Sequence, residues 1–177
     1  MNSEERRAAI LKTLQASSGP ITGSELSHKF KVSRQVIVGD MTVLRAAGHQ
    51  IYATPRGYSM PVQPKNPNTL ATICCRHDRE HLQKELEIIV DNGGKIYDVI
   101  VEHPLYGEIS VNLFLSNRRE IKEFMHKLRQ TKAPPLMSIS HGLHYHTIEV
   151  PNQETLDIIC HELKKAHILS ESTEPTA

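Results

Sequence analysis

The chain has 177 residues, 38% of them hydrophobic, with 21 Lys and Arg against 20 Asp and Glu, 11 His, three Cys and no Trp. That length holds one medium domain or two small ones, and the globular proportions exclude a disordered chain or a fibrous repeat. Apolar runs such as Ile88–Val90 and Val99–Val101 fall far short of the roughly 20 residues of a membrane span. The polar start lacks a signal-peptide core, and three cysteines, two of them adjacent, make no disulfide framework. The expectation is a soluble, cytoplasmic protein with no membrane partner.

Charge is unevenly spread. Residues 1–66 carry nine basic and four acidic side chains, the remainder 12 and 16, and nine of the 11 histidines lie in the second part. A basic module followed by an acidic, His-rich one is the reading.

In chain order, residues 4–16 place Ala8, Leu11 and Leu14 on one helical stripe with Ile10 beside it, ended by Ser18-Gly19-Pro20. Thr22-Gly23-Ser24-Glu25 has the capping-box spacing and opens a short helix burying Leu26 and Phe30. After a turn at Lys31-Val32, Ser33 caps a third helix, 34–47, with Ile37, Met41 and Leu44 facing the core and Gly48 closing it. Its other face shows Gln35, Val38, Gly39 and Thr42, flanked by Arg34 and Arg45, while Asp40 turns towards the core. A solvated surface helix is the bland account of that face. A helix for the DNA major groove is the sharper one, because Gln pairs with adenine, Val and Thr meet thymine methyls, and Arg reaches guanine or phosphate. Two β-prone runs around Pro55-Arg56-Gly57 read as a hairpin with Arg56 at its tip, which completes a winged helix-turn-helix over residues 1–60.

Pro61, Pro64 and Pro67 make residues 61–69 an extended linker. From there the spacing predicts strand 70–77, helix 78–92 closed by Gly93-Gly94, strands 95–103 and 108–116 around a tight turn, helix 117–131, strand 143–150 and helix 152–167. The fold class is therefore α+β: a winged helix-turn-helix joined by a Pro-rich linker to an open-faced βαββαβα domain over 70–168, with a disordered tail at 169–177.

His144 and His146 share one face of a strand, a spacing that lets two imidazoles reach one ion. His77 and Glu85 fall eight residues apart across a strand end and the next helix. If the first and last strands of the sheet are close, His77, Glu85, His144 and His146 form a donor set for Ni, Zn, Fe, Co or Mn, among which the sequence does not choose. His141 lies three residues before His144 and is a further candidate. Cys74 and Cys75 should point to opposite sheet faces, one of them into the core. Cys160 reads as packing, and His126, His161 and His167 as solvated.

Two resemblances sharpen this. The run SGPITGSELSHKFKVSRQVIVGDMTVLRAAGHQIYATPRGYSM resembles the helix-turn-helix module at the front of biotin-repressor-type regulators. CRHDREHLQKELEIIVDNGGKIYDVIVEHPLYGEI and HGLHYHTIEVP resemble the 3H domain, and the order of the two resembles the niacin-responsive transcriptional repressors of bacteria. The resemblance implies a divalent metal on His77, Glu85, His144 and His146, nicotinic acid as co-repressor, and a homodimer on palindromic double-stranded operator DNA upstream of NAD-synthesis and niacin-uptake genes. It brings His103 to the ligand pocket; Tyr106 either lines that pocket or packs on its hairpin. DNA contacts are expected from Ser33, Arg34, Gln35, Val38, Thr42, Arg45 and Arg56. Two other readings stand beside it: a metalloregulator sensing the ion itself, and a metal-dependent hydrolase, against which the chain lacks HExxH, a nucleophile elbow and a phosphate-cradling loop.

Overall fold

The computed structural model describes residues 2–61 and 68–170. The chain divides into two compact units, Met1–Gln63 and Pro64–Ala177. Most of the expected linker, and residues 171–177 of the expected tail, lie outside the described residues.

In the first unit, α1 (Ser3–Ala16), α2 (Gly23–Phe30) and α3 (Arg34–Ala46) precede a hairpin of β1 (Tyr52–Thr54) and β2 (Gly57–Ser59). Capping boxes start α1 at Asn2 with Glu5 and α2 at Thr22 with Glu25, so orphan amides are satisfied at both. Lys31, left-handed at φ 54°, ends α2, and Ser33 accepts the Val36 amide to start α3. The core joins Ile10, Leu14, Leu26, Ile37, Met41, Leu44 and Ile51. The buried row of α1 is Ile10 and Leu14 rather than Ala8 and Leu11. The reason is Arg6, one turn before Ile10, whose guanidinium grips buried Asp40 of α3 through Nε at 2.6 Å and Nη2 at 3.1 Å. That fork sets the roll of the helix. Ile21 also pairs with Tyr58 through two 2.8 Å backbone bonds, giving the hairpin a third strand position that the side-chain pattern does not announce. Gly57 makes this possible, since a Cβ there would lie 2.4 Å from the Ile21 carbonyl oxygen.

The second unit is a four-stranded antiparallel sheet of β3 (Thr69–Arg76), β4 (Lys95–His103), β5 (Gly107–Leu115) and β6 (Leu143–Val150), in the order β3-β6-β4-β5. The first and last strands are thus direct neighbours. Helices α4 (Leu82–Asp91), α5 (Arg118–Thr131) and α6 (Gln153–Lys165) cover one face and bury Leu86, Ile89, Ile121, Met125, Ile159 and Leu163 against Ile73, Cys75, Ile96, Leu115, Ile148 and Val150. Three expectations shift. Strand β3 begins at Thr69 and ends at Arg76, one residue before His77. The expected helix 78–92 is a 3-10 turn (Arg79–His81), capped by Asp78, followed by α4. Leu169 and Ser170, assigned to the tail, continue the sheet: Leu169 bridges to Cys75, and the Ser170 amide donates to the Cys74 carbonyl at 2.9 Å.

One irregularity matters for the site. Ile96 lies opposite Ile148 and Ile100 opposite Tyr145, so β4 carries one residue more than β6 between these pairs. This bulge turns the Asp98 carbonyl out of the ladder and towards β6.

Candidate metal centre and nucleic-acid interface

Pairing of β3 with β6 sets His144 opposite Cys75 and His146 opposite Ile73, with both imidazoles on the helix-covered side. The row of α4 that meets the sheet is Leu82, Glu85, Leu86 and Ile89, so a carboxylate is delivered into an apolar interface. His77 reaches the same point from just beyond β3. Its Nε2 stands 2.8 Å from Glu85 Oε2, His144 Nε2 stands 3.0 Å from Oε1, and His146 Nε2 stands 3.5 Å from Oε1. The last is an electrostatic contact, and His146 Nε2 has no hydrogen-bond partner although it is buried. All four expected ligands meet at the Glu85 carboxylate, with side chains at most 3% exposed, whereas the set whose ligand atoms all lie within 4.8 Å of one another among the described residues is Cys75, Glu85 and His144.

The outward nitrogens explain the orientation. His77 Nδ1 lies 2.7 Å from the Asp78 carbonyl, His144 Nδ1 2.9 Å from that of Gly142, and His146 Nδ1 2.5 Å from that of Asp98 at the bulge. A carbonyl only accepts, so each Nδ1 carries the proton and donates. When neutral, each ring then presents its Nε2 lone pair to the carboxylate, and when protonated it donates from Nε2. Lone pairs facing carboxylate oxygens repel unless a proton or a cation stands between them. The electrostatics reflect this. Burial opposes ionisation of Glu85, but the charge of His146 and hydrogen bonds from His144 and His77 hold its pKa well below the usual carboxylate range. Burial likewise opposes charge on His146 and His77, yet Glu85 outweighs it and raises both. Cys75 adjoins this set, its sulfur within 4.8 Å of Glu85 and His144 ligand atoms; burial and then Glu85 push its thiol pKa up.

The donors' outer partners are main-chain carbonyls, which no side-chain pattern reveals. Gly142 was legible in principle. At φ 86°, a Cβ on it would lie 2.3 Å from the His77 carbonyl oxygen, so only glycine lets the two loops touch.

His141, exposed and left-handed at φ 51°, lies beside Gly142 and lines a cavity shared with His77. His103 and Tyr106 lie elsewhere. His103 Nδ1 accepts the Leu105 and Tyr106 amides at 3.1 and 3.3 Å, and its ring packs on Tyr106 at 4.9 Å in the β4–β5 turn. Neither lines the cavity at His77. His81 is also outside the cluster, bound to Asp78 at 2.6 Å.

In the first unit, Arg34, Gln35, Val38 and Thr42 are exposed along α3 with Ser33 at its cap, and Asp40, the acid of that helix, is buried against Arg6 and Arg7. The Thr42 hydroxyl donates to the Val38 carbonyl at 3.0 Å. Space beside Gly39 is open to 4 Å. Arg45 acts differently from its neighbours: its Nε donates to the Ile51 carbonyl at 2.7 Å and its guanidinium lies over Tyr58, tying the helix to the hairpin. Arg56 occupies the hairpin turn, where its amide donates to Thr54 Oγ1.

A winged helix-turn-helix with an acid-free exposed face on its third helix, on the same chain as a sheet domain that gathers buried imidazoles, has the build of a two-domain transcription regulator. Residues 6–59 match the HTH domain family and residues 70–172 the 3H domain family. The probable transcription repressor NiaR of Thermotoga maritima is 42% identical over 168 residues, covering 95% of each chain. The transcription repressor NadR of Bacillus subtilis is 37% identical over 166 residues, covering 93% of this chain and 92% of its own. The chain belongs to this family of HTH–3H transcription repressors, which are DNA-binding regulators and not enzymes. Among the described residues no helix is long and apolar enough to cross a membrane.

Proposed function

We propose that the protein is a metal-containing, nicotinic-acid-responsive repressor of NAD-synthesis and niacin-uptake genes, acting as a homodimer on palindromic operator DNA. The observation that carries the metal is the common tautomer: three imidazoles held by main-chain carbonyls, with their Nε2 atoms aimed at one carboxylate. Carbonyl-tethered histidine is the usual support of a metal ligand, and His₃-carboxylate suits Ni, Zn, Fe, Co or Mn. His77, Glu85, His144 and His146 would hold the ion. When bound, it supplies a Lewis-acid site with coordination positions left for a ligand carboxylate or pyridine nitrogen.

The residues of the first unit perform the reading. Gln35, Val38 and Thr42 present amide and methyl groups to base edges, Arg34 and Arg56 meet phosphate or groove, and Arg45 fixes the hairpin against the helix. Dimeric binding requires half-sites about 34–36 Å apart or a multiple of that. Nicotinic acid acts by binding the DNA-competent state more tightly than the other.

The test is a gel shift on DNA upstream of niacin-uptake or NAD-synthesis genes, with nicotinate or nicotinamide, before and after chelation. Retardation that needs both metal and nicotinate supports the reading. Retardation that needs metal but ignores nicotinate replaces it with a metalloregulator.

A further inference from the structure

One member of the cluster, His77, also borders a cavity. A cavity of about 240 Å³ at the end of β3 is lined by Arg76, His77, Arg79, Met137 and His141, among others. Arg76 and Arg79 are both among its lining residues, and neither forms an ion pair with any described residue, whereas Arg6, Arg7, Arg118 and Arg119 all do. Asp78, an acid that also lines the cavity, has one of its two carboxylate oxygens engaged. Its Oδ1 lies 2.6 Å from His81 Nδ1 and accepts the amides of Glu80 and His81. Met137, only 3% exposed, supplies an apolar wall from the core. A second cavity, about 260 Å³, is lined by Glu102, Pro104, Ser140, Leu143 and Tyr145 and touches no cluster residue.

We propose that the cavity at Arg76, Arg79 and His141 receives the carboxylate of a small ring acid, whose ring lies against Met137 and whose far edge points to His77. The inference deepens the nicotinic-acid reading: it rests on that reading for the identity of the ring, but not for the anion. Guanidinium forks match a carboxylate with paired N–H donors, and such charge-assisted bonds are about twice as strong as neutral ones. The volume sits below the roughly 300–1,000 Å³ of pockets for drug-sized ligands, so a single-ring acid fits the site and a dinucleotide does not. Met137 offers a thioether to the ring face or edge. Nicotinamide has the ring but no negative charge, and this site would discriminate against it without any contact to the ring nitrogen.

The experiment is calorimetric titration of the full chain, loaded with Zn²⁺, with nicotinate, benzoate and nicotinamide. It compares wild type with Arg76→Gln, Arg79→Gln, the double variant, Arg76→Lys and the remote control Arg129→Gln. Nicotinate affinity should fall about tenfold or more in each glutamine variant and vanish in the double variant, following the loss of a charge-assisted fork. Arg76→Lys should be intermediate, Arg129→Gln unchanged, and metal content equal throughout. If the double variant binds nicotinate as wild type does, the carboxylate receptor is overturned while the nicotinic-acid reading stands. Arginine-dependent binding of benzoate with no preference for nicotinate keeps the receptor and removes that reading. Wild type that binds neither acid overturns both.

Discussion

His77 and His146 stand in a carboxylate's field that lifts their pKa values above the ordinary 6.5. A raised folded pKa contributes stability that is fully present below the unfolded value and is lost as pH rises through the folded one. Metal binding needs the neutral ring and so runs the other way. Thermal melts between about pH 6 and about pH 8 should therefore cross: with chelator Tm falls as pH rises, and with Ni²⁺ or Zn²⁺ it rises. Parallel curves would take these imidazoles out of the metal site. Gly142 is the second sensitive residue. Gly142→Ala forces a left-handed alanine, at about 1–2 kcal/mol, into contact with the His77 backbone, and it shifts the carbonyl that orients His144. Misplacing such an outer partner typically costs about 10–100-fold in metal affinity, read by competition with a chromogenic chelator. An unchanged affinity would mean that the glycine serves the turn alone.

Elements were legible to different depths. The caps at Thr22 and Ser33 and the Ile37–Met41–Leu44 row announce α2 and α3 because each is a local pattern of side chains. The roll of α1 was not legible, since it depends on Arg6 reaching Asp40 from 34 residues away. The β4 bulge was equally hidden: Tyr97-Asp98 alternates like an ordinary strand, and only pairing with β6 exposes the extra residue. At the site, the clustering of His77, Glu85, His144 and His146 could be anticipated from spacing. Arg76 and Arg79 could not, because an exposed arginine is an ordinary surface residue until a cavity is seen beside it. Helix α3 offers its own test. Gly39 sits in a helix interior with open space where a Cβ would go, so Gly39→Ala should stabilise the first unit by about 0.5–1 kcal/mol. The added methyl occupies the reading face, and operator affinity should drop in the same variant. A gain in melting temperature with undiminished gel-shift affinity would place the DNA on some other surface.

For the whole molecule, the separation into a basic unit and a histidine-rich unit is visible in charge counts alone, because each unit keeps its own core. The tail starts later than expected: a polar, Ser- and Glu-rich ending hides the pairing of Leu169 and Ser170, just past buried Ile168, with β3. β3 is the outermost strand of its sheet, and along its free side the Arg76 amide donates to the Ile168 carbonyl and the Cys74 carbonyl accepts from Ser170, both at 2.9 Å. That short segment works as a selvedge. Cutting the chain after His167 would bare a ladder of unsatisfied peptide groups, the template on which foreign strands add and aggregates grow. The trimmed protein should show light scattering that climbs with concentration while the intact chain stays level. A trimmed chain that scatters no more than the parent would mean the border of the sheet protects itself.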